Sequence, residues 1–149
     1  MTLAVLLLLA LFAPGEKPLA TPTEDLARVQ SEPHPEKRAH AALENAEDAL
    51  KQAREAYVKG DNDNTSSRLE EVERSVELAD SSLKQTGKNP SRSPKHFKYA
   101  ELKTRELLRK LDGFRDEMSV ADRPAVDRVI GKVQKIHDAL LEGVMGKKY

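Results

Sequence analysis

His40, Glu44 and Glu47 are the first residues of the chain whose types and spacing could do chemistry. Steps of four and three put one imidazole and two carboxylates on one helix face, a set that could ligate a metal. A di-metal helical bundle needs Glu-x-x-His on two helices, with further carboxylates aimed at the core. No Glu-x-x-His occurs in this sequence. The trio also falls beside the apolar stripe of its helix, so a solvated flank and no metal are expected.

The other constellations weaken on inspection. Asp61-x-Asp63-x-Thr65 opens like a calcium loop, but the glycine and glutamate that such a loop needs further on are Ser66 and Val72 here. A helix-capping turn explains the same residues. His137 could offer one axial haem ligand. The other ligand candidates are Met118 and Met145, and Met145 follows His137 on the same helix. A boundary histidine paired with Asp138 or with a neighbouring helix is expected instead. Gly87-Lys88 lacks the preceding glycine of a phosphate loop, and no nucleophile elbow is present. Glu70 and Glu71 point to different azimuths and form no acid–base dyad. The expectation is a protein with no catalytic residue and no cofactor.

Charge is more informative. Formal net charge is zero, but it is unevenly spread. Glu36 to Asp80 holds 12 acids and 7 bases; Lys84 to Lys110 holds 9 bases and only Glu101 and Glu106 as acids. Such a segment could be a basic face for an anionic partner, with His96, Phe97 and Tyr99 interleaved. It could equally pair with the acidic segment inside the fold. The candidate binding residues are Lys88, Arg92, Lys95, Lys98 and Tyr99.

These residues must be carried by helices. Between Ala39 and Lys59 a seven-residue pattern occurs three times: Ala39, Ala42, Leu43; Ala46, Ala49, Leu50; Ala53, Ala56, Tyr57. A sustained heptad marks a helix packed along a seam, and its alanines admit a close neighbour. It predicts a helix from about Glu36 to Lys59, closed by Gly60. A second helix, capped by Asn64 or Thr65, carries Leu69, Val72, Val76, Ala79 and Leu83 and ends at Gly87. A third carries Phe97, Ala100, Thr104, Leu107, Leu111, Phe114 and Met118. A fourth, opened by a Ser119/Asp122 capping-box variant with Pro124 in its first turn, buries Val126, Val129, Ile130, Val133, Ile136, His137, Leu140, Leu141 and Val144. Gly143 and Gly146 should let its end fray. The string AREAYVKGDND is similar to the turn of a tetratricopeptide repeat, but Arg54, Glu70 and Glu73 break the pattern and the helices are too long for it.

Matched lengths and short connections predict an all-α fold, an antiparallel up-down-up-down four-helix bundle made of two hairpins over residues 36–149. Two hairpins completing their core by dimerising are the runner-up. Leu3 to Ala13 is an uninterrupted apolar run, too short to span a bilayer and of the length of a signal-peptide core. Met1-Thr2 before it carries no Lys or Arg. Residues 1–20 are read as a signal peptide and 21–35, rich in proline, as a flexible linker. Cysteine is absent, so disulfides and thiolate metal sites are excluded.

The expected function is therefore an exported, periplasmic or secreted, non-catalytic interaction or structural module of the cell envelope. Its partner would be a protein or a second copy met through helix faces, or an anionic envelope polymer or lipid headgroup. No nucleic-acid partner and no transmembrane span in the mature chain are expected. The alternative is a metal- or small-ligand-binding bundle using His40, His96 or His137.

Overall fold

The computed structural model describes residues 22–147. The assigned signal segment and Lys148-Tyr149 lie outside the described residues. Among the described residues the chain is all-helical, with α1 (Pro22–Gln30), α2 (Pro35–Val58), α3 (Asn62–Gln85), α4 (Lys95–Glu117) and α5 (Arg123–Val144). The last four are of nearly equal length, 22 to 24 residues. None of these helices is long and apolar enough to cross a membrane. Within the proline-rich stretch read as linker, Pro22–Gln30 forms a helix that rests on α2 and α3, with Leu26 buried between them. An apolar residue with somewhere to bury outweighs the surrounding prolines.

The predicted helix ends hold with three differences. Gly60 follows α2 at φ 75°, and the amides of Gly60 and Asp61 reach back to the carbonyls of Tyr57 and Ala56. That is a Schellman closure, and it needs the left-handed backbone that glycine adopts freely. Asp61, not Asn64 or Thr65, caps α3, accepting the Asn64 amide at 3.1 Å. Lys147 and Gly146 close α5 the way Asp61 and Gly60 close α2, so the predicted fraying is replaced by a cap. Ser119 does not cap α5; its hydroxyl donates to the Asp122 carboxylate at 2.7 Å.

The alanine heptads do what their size permits. Ala39, Ala42, Ala46, Ala49, Ala53 and Ala56 are all buried, and α2–α3 is the most extensive helix contact. Small side chains let the backbones approach. The α3 face is wider than its apolar stripe, because Ser75, Ser82, Glu71 and Arg68 are buried too. Asn45 donates to Ser75 Oγ at 2.9 Å and to Glu71 at 3.3 Å, and Glu71 accepts from Arg68 at 2.9 Å. The apolar seam read for α4 is buried throughout, from Phe97 to Met118. On α5 the predicted face narrows: Leu141 is 37% exposed, while Val126, Val129, Val133 and Leu140 are buried.

The remaining contacts join α4 to α5, α3 to α5 and α2 to α4, while α3 barely meets α4 and α2 makes no close approach to α5. The core divides lengthwise. One cluster includes Leu50, Val72, Leu107, Leu111, Phe114 and Val129; the other includes Leu43, Leu83, Phe97, Ala100 and Leu140.

Candidate functional site

A second stripe on α2, which the heptad alone does not reveal, faces α4. It runs Glu36, His40, Glu47, Arg54 and Tyr57, flanking Leu43 and Leu50. Glu36 pairs with Lys88 and His96, and Glu47 stands between Lys103 at 3.7 Å and Lys110 at 3.5 Å. Arg54 pairs with Glu117. Tyr57 packs edge-on to Phe114, accepts the Ser119 amide at 2.9 Å and donates to Asp122 at 3.1 Å. On the opposite side, Glu73 and Glu77 of α3 face Arg128 and Lys132 of α5. The α2–α4 and α3–α5 seams thus set acids of α2 and α3 mainly against bases of α4, α5 and the connection before α4.

Much of the basic segment is spent in this way. Lys84 pairs with Asp80, Lys88 with Glu36, Arg105 with Glu101, and Lys103 and Lys110 with Glu47. Arg92, Lys95 and Lys98 are exposed and have no ion-pair partner among the described residues. They occupy the connection after α3 and the first turn of α4. No acid stands in that first turn, and no side chain caps it. Their positive charge therefore adds to the positive end of the helix dipole. A hollow of about 180 Å³ lies beside them, lined in part by Thr86, Lys88, Ser93 and Lys95.

The aromatics expected beside these bases are not free. Phe97 is a core residue, 2% exposed. Tyr99 is half-buried and stacked on His40, and burial is the first reason its hydroxyl titrates above the ordinary 10.0. His96 Nδ1 is 3.0 Å from His40 Nε2, and His96 Nε2 is 3.1 Å from Glu36. Burial, and then the neighbouring His96, hold His40 below the ordinary 6.5. Lys88 draws Glu36 below the ordinary 4.5.

The face carrying His40, Glu44 and Glu47 divides. Glu44 is exposed, whereas His40 and Glu47 are half-buried against α4, which corrects the solvated-flank reading for those two. Among the described residues no group of three or more His, Asp or Glu could hold a metal ion. His137 is buried and joined to the neighbouring helix: its Nδ1 is 3.0 Å from Thr104 Oγ1, and its Nε2 is 3.8 Å from Glu101. Asp138 instead accepts from Gln134. The His40–His96 contact was not legible in sequence, since the two residues lie on separate helices and only the α2–α4 register brings them together.

Comparison with protein-family models, curated proteins and solved structures finds no match to this chain.

Proposed function

We propose that this protein is an exported, non-catalytic helical-bundle module of the cell envelope that docks an anionic partner through Arg92, Lys95 and Lys98. The observation that carries the reading is the division of the basic segment among the described residues: Lys84, Lys88, Lys103, Arg105 and Lys110 are engaged in internal pairs, while Arg92, Lys95 and Lys98 are not and lie together around the start of α4; Arg109, also unpaired, lies further along that helix. Unneutralised charge at a helix start attracts anionic groups. Lys88 and Tyr99 border the surface, but each is already held within the fold, the first by Glu36 and the second by His40. The export part of the reading rests on the Leu3–Ala13 run.

The scaffold would be an up-down-up-down bundle. Arg38 meets Ser82 and Asn45 meets Ser75, so α2 and α3 run oppositely; Thr104 meets His137 and Arg115 meets Asp127, so α4 and α5 do too. With α2 beside α4 and α3 beside α5, the connection of residues 86–94 crosses the bundle diagonal and presents Arg92 at one end. The test is binding of the full chain to an acidic peptide, a polyphosphate and phosphatidylglycerol vesicles, compared with a Lys95→Glu/Lys98→Glu variant. Binding to at least one probe that the variant loses supports the reading. Absence of binding to all three, or binding that the variant retains, contradicts it.

A further inference from the structure

The two histidines that bridge α2 and α4 share one end of the molecule with the Leu43, Leu83, Phe97 and Leu140 core cluster. His40 Nε2 and His96 Nδ1 face each other at 3.0 Å, and the outer nitrogen of His96 faces the Glu36 carboxylate. The charged and titratable groups acting on the pair are Glu36 and Glu44 from α2, Lys88 from the connection before α4, and Lys95, Tyr99 and Lys103 from α4.

A hydrogen bond between two imidazoles needs a lone pair on one of the facing nitrogens. The Glu36 carboxylate keeps a proton on His96 Nε2, which leaves the His96 Nδ1 lone pair to accept from His40 Nε2–H. One added proton is tolerated on either ring. On His96 it turns the bond round, Nδ1–H donating to His40 Nε2 while His40 moves its own proton to Nδ1; on His40 it enters at Nδ1 and leaves the bond as it was. A second added proton puts N–H on both facing nitrogens and two positive charges side by side. Lys95 adds to the repulsion at His40, while Glu44 and Glu36 work against it.

We infer that the His40–His96 pair is an acid-sensitive latch, closed with no more than one added proton and opened by the second, which releases the first turns of α4 from α2. Tyr99 loses its stacking partner when the latch opens, and Phe97 loses the cover over its end of the core. The inference stands whether or not the nearby basic surface binds a partner.

The test is a pH titration of the ¹⁵N-labelled full chain from about pH 8 to about pH 5, the range in which imidazoles change charge. Long-range ¹H–¹⁵N correlations read the protonation of each ring nitrogen, and amide exchange reads opening of Phe97–Ala100 relative to Leu107–Leu111 in the same sample. The expected course has both rings as Nε2–H at the upper end, a first proton taken up by the pair with one facing nitrogen left bare, and a separate second protonation. Exchange of Phe97–Ala100 then rises about tenfold per pH unit relative to the reference amides. In a His96→Gln variant the relative exchange stays flat. Independent titration of both histidines in step with exposed His34, or a flat exchange ratio in the wild-type chain, would overturn the inference. So would opening of a folded H96Q chain at the wild-type pH. The wild-type titration decides alone if that variant does not fold.

Discussion

The ring of Tyr99 on α4 lies flat on the imidazole of His40 on α2, with centroids 3.9 Å apart and planes 5° from parallel. Each ring thereby covers a face of the other that a partner would otherwise meet. Tyr99 belongs to the α2–α4 joint, and under the proposed function the surface left for an anionic ligand is the run of bases around it.

Stability should fall on the acid side of neutrality for a reason that can be assigned. Burial holds the folded His40 below its ordinary 6.5, so the unfolded chain takes up this proton first as pH falls. Unfolding is favoured wherever the unfolded state binds more protons. The contribution of His40 is therefore complete above 6.5 and lost as pH drops from there toward the folded value. Urea unfolding of the wild-type and His40→Gln chains at successive pH values should show the two stability curves converging in that window. On the alkaline side, Tyr99 and Lys103 both keep their protons longer folded than unfolded, so stability declines above about 10.

Leu111 is fully buried at the centre of the larger core cluster. Truncation to alanine should cost about 2 to 5 kcal/mol, from lost transfer energy plus the cavity left behind. Chemical denaturation measures this directly. A loss below about 0.5 kcal/mol, the range of an exposed substitution, would mean that the α4 face is assigned wrongly.

Two glycines should respond in opposite directions to alanine. Gly60 has φ 75° and open space where an added methyl group would stand, so Gly60→Ala meets only backbone strain, about 1 kcal/mol destabilising. Gly131 lies within α5 with equally open surroundings and ordinary helical backbone. Gly131→Ala should stabilise by about 0.5 to 1 kcal/mol. Melting temperatures of the two variants against wild type separate the cases.

The helices and their apolar seams were legible because heptad steps report burial directly: Leu69 to Leu83 and Phe97 to Met118 are buried as their spacing predicts. Residues that answer to two partners were not. His40 and Glu47 lie beside the alanine stripe and read as a solvated flank until α4 is placed beside them. Glu71 and Ser75 are buried polar residues whose cost is offset by hydrogen bonds from Asn45 across α2 and α3, which no single-helix pattern encodes. Thr104 marks the same lesson inside the α4 seam: its hydroxyl is satisfied by the Ala100 carbonyl and by His137 on another helix. The candidate surface was half legible. The sequence displayed the excess of bases, and only the three-dimensional pairing separated Arg92, Lys95 and Lys98 from those consumed inside.

Reversing charge at Lys95 and Lys98 should leave the fold intact. Both side chains are exposed and unpaired, so reversal breaks no ion pair, and acids in the first turn of α4 should stabilise it by about 0.3 to 1 kcal/mol each. Reversal at Lys103 and Lys110 should cost stability instead, because Glu47 would then face two like charges. Paired thermal melts of the two double variants compare them.

The most direct test of the interaction reading is residue-resolved NMR of the ¹⁵N-labelled full chain, titrated separately with an acidic peptide, a polyphosphate and phosphatidylglycerol vesicles. The account predicts perturbations centred on residues 88–99 with at least one probe, weakening as salt rises and vanishing in the Lys95→Glu/Lys98→Glu chain. Perturbations centred elsewhere, unchanged by that charge reversal, or absent with every probe would contradict it.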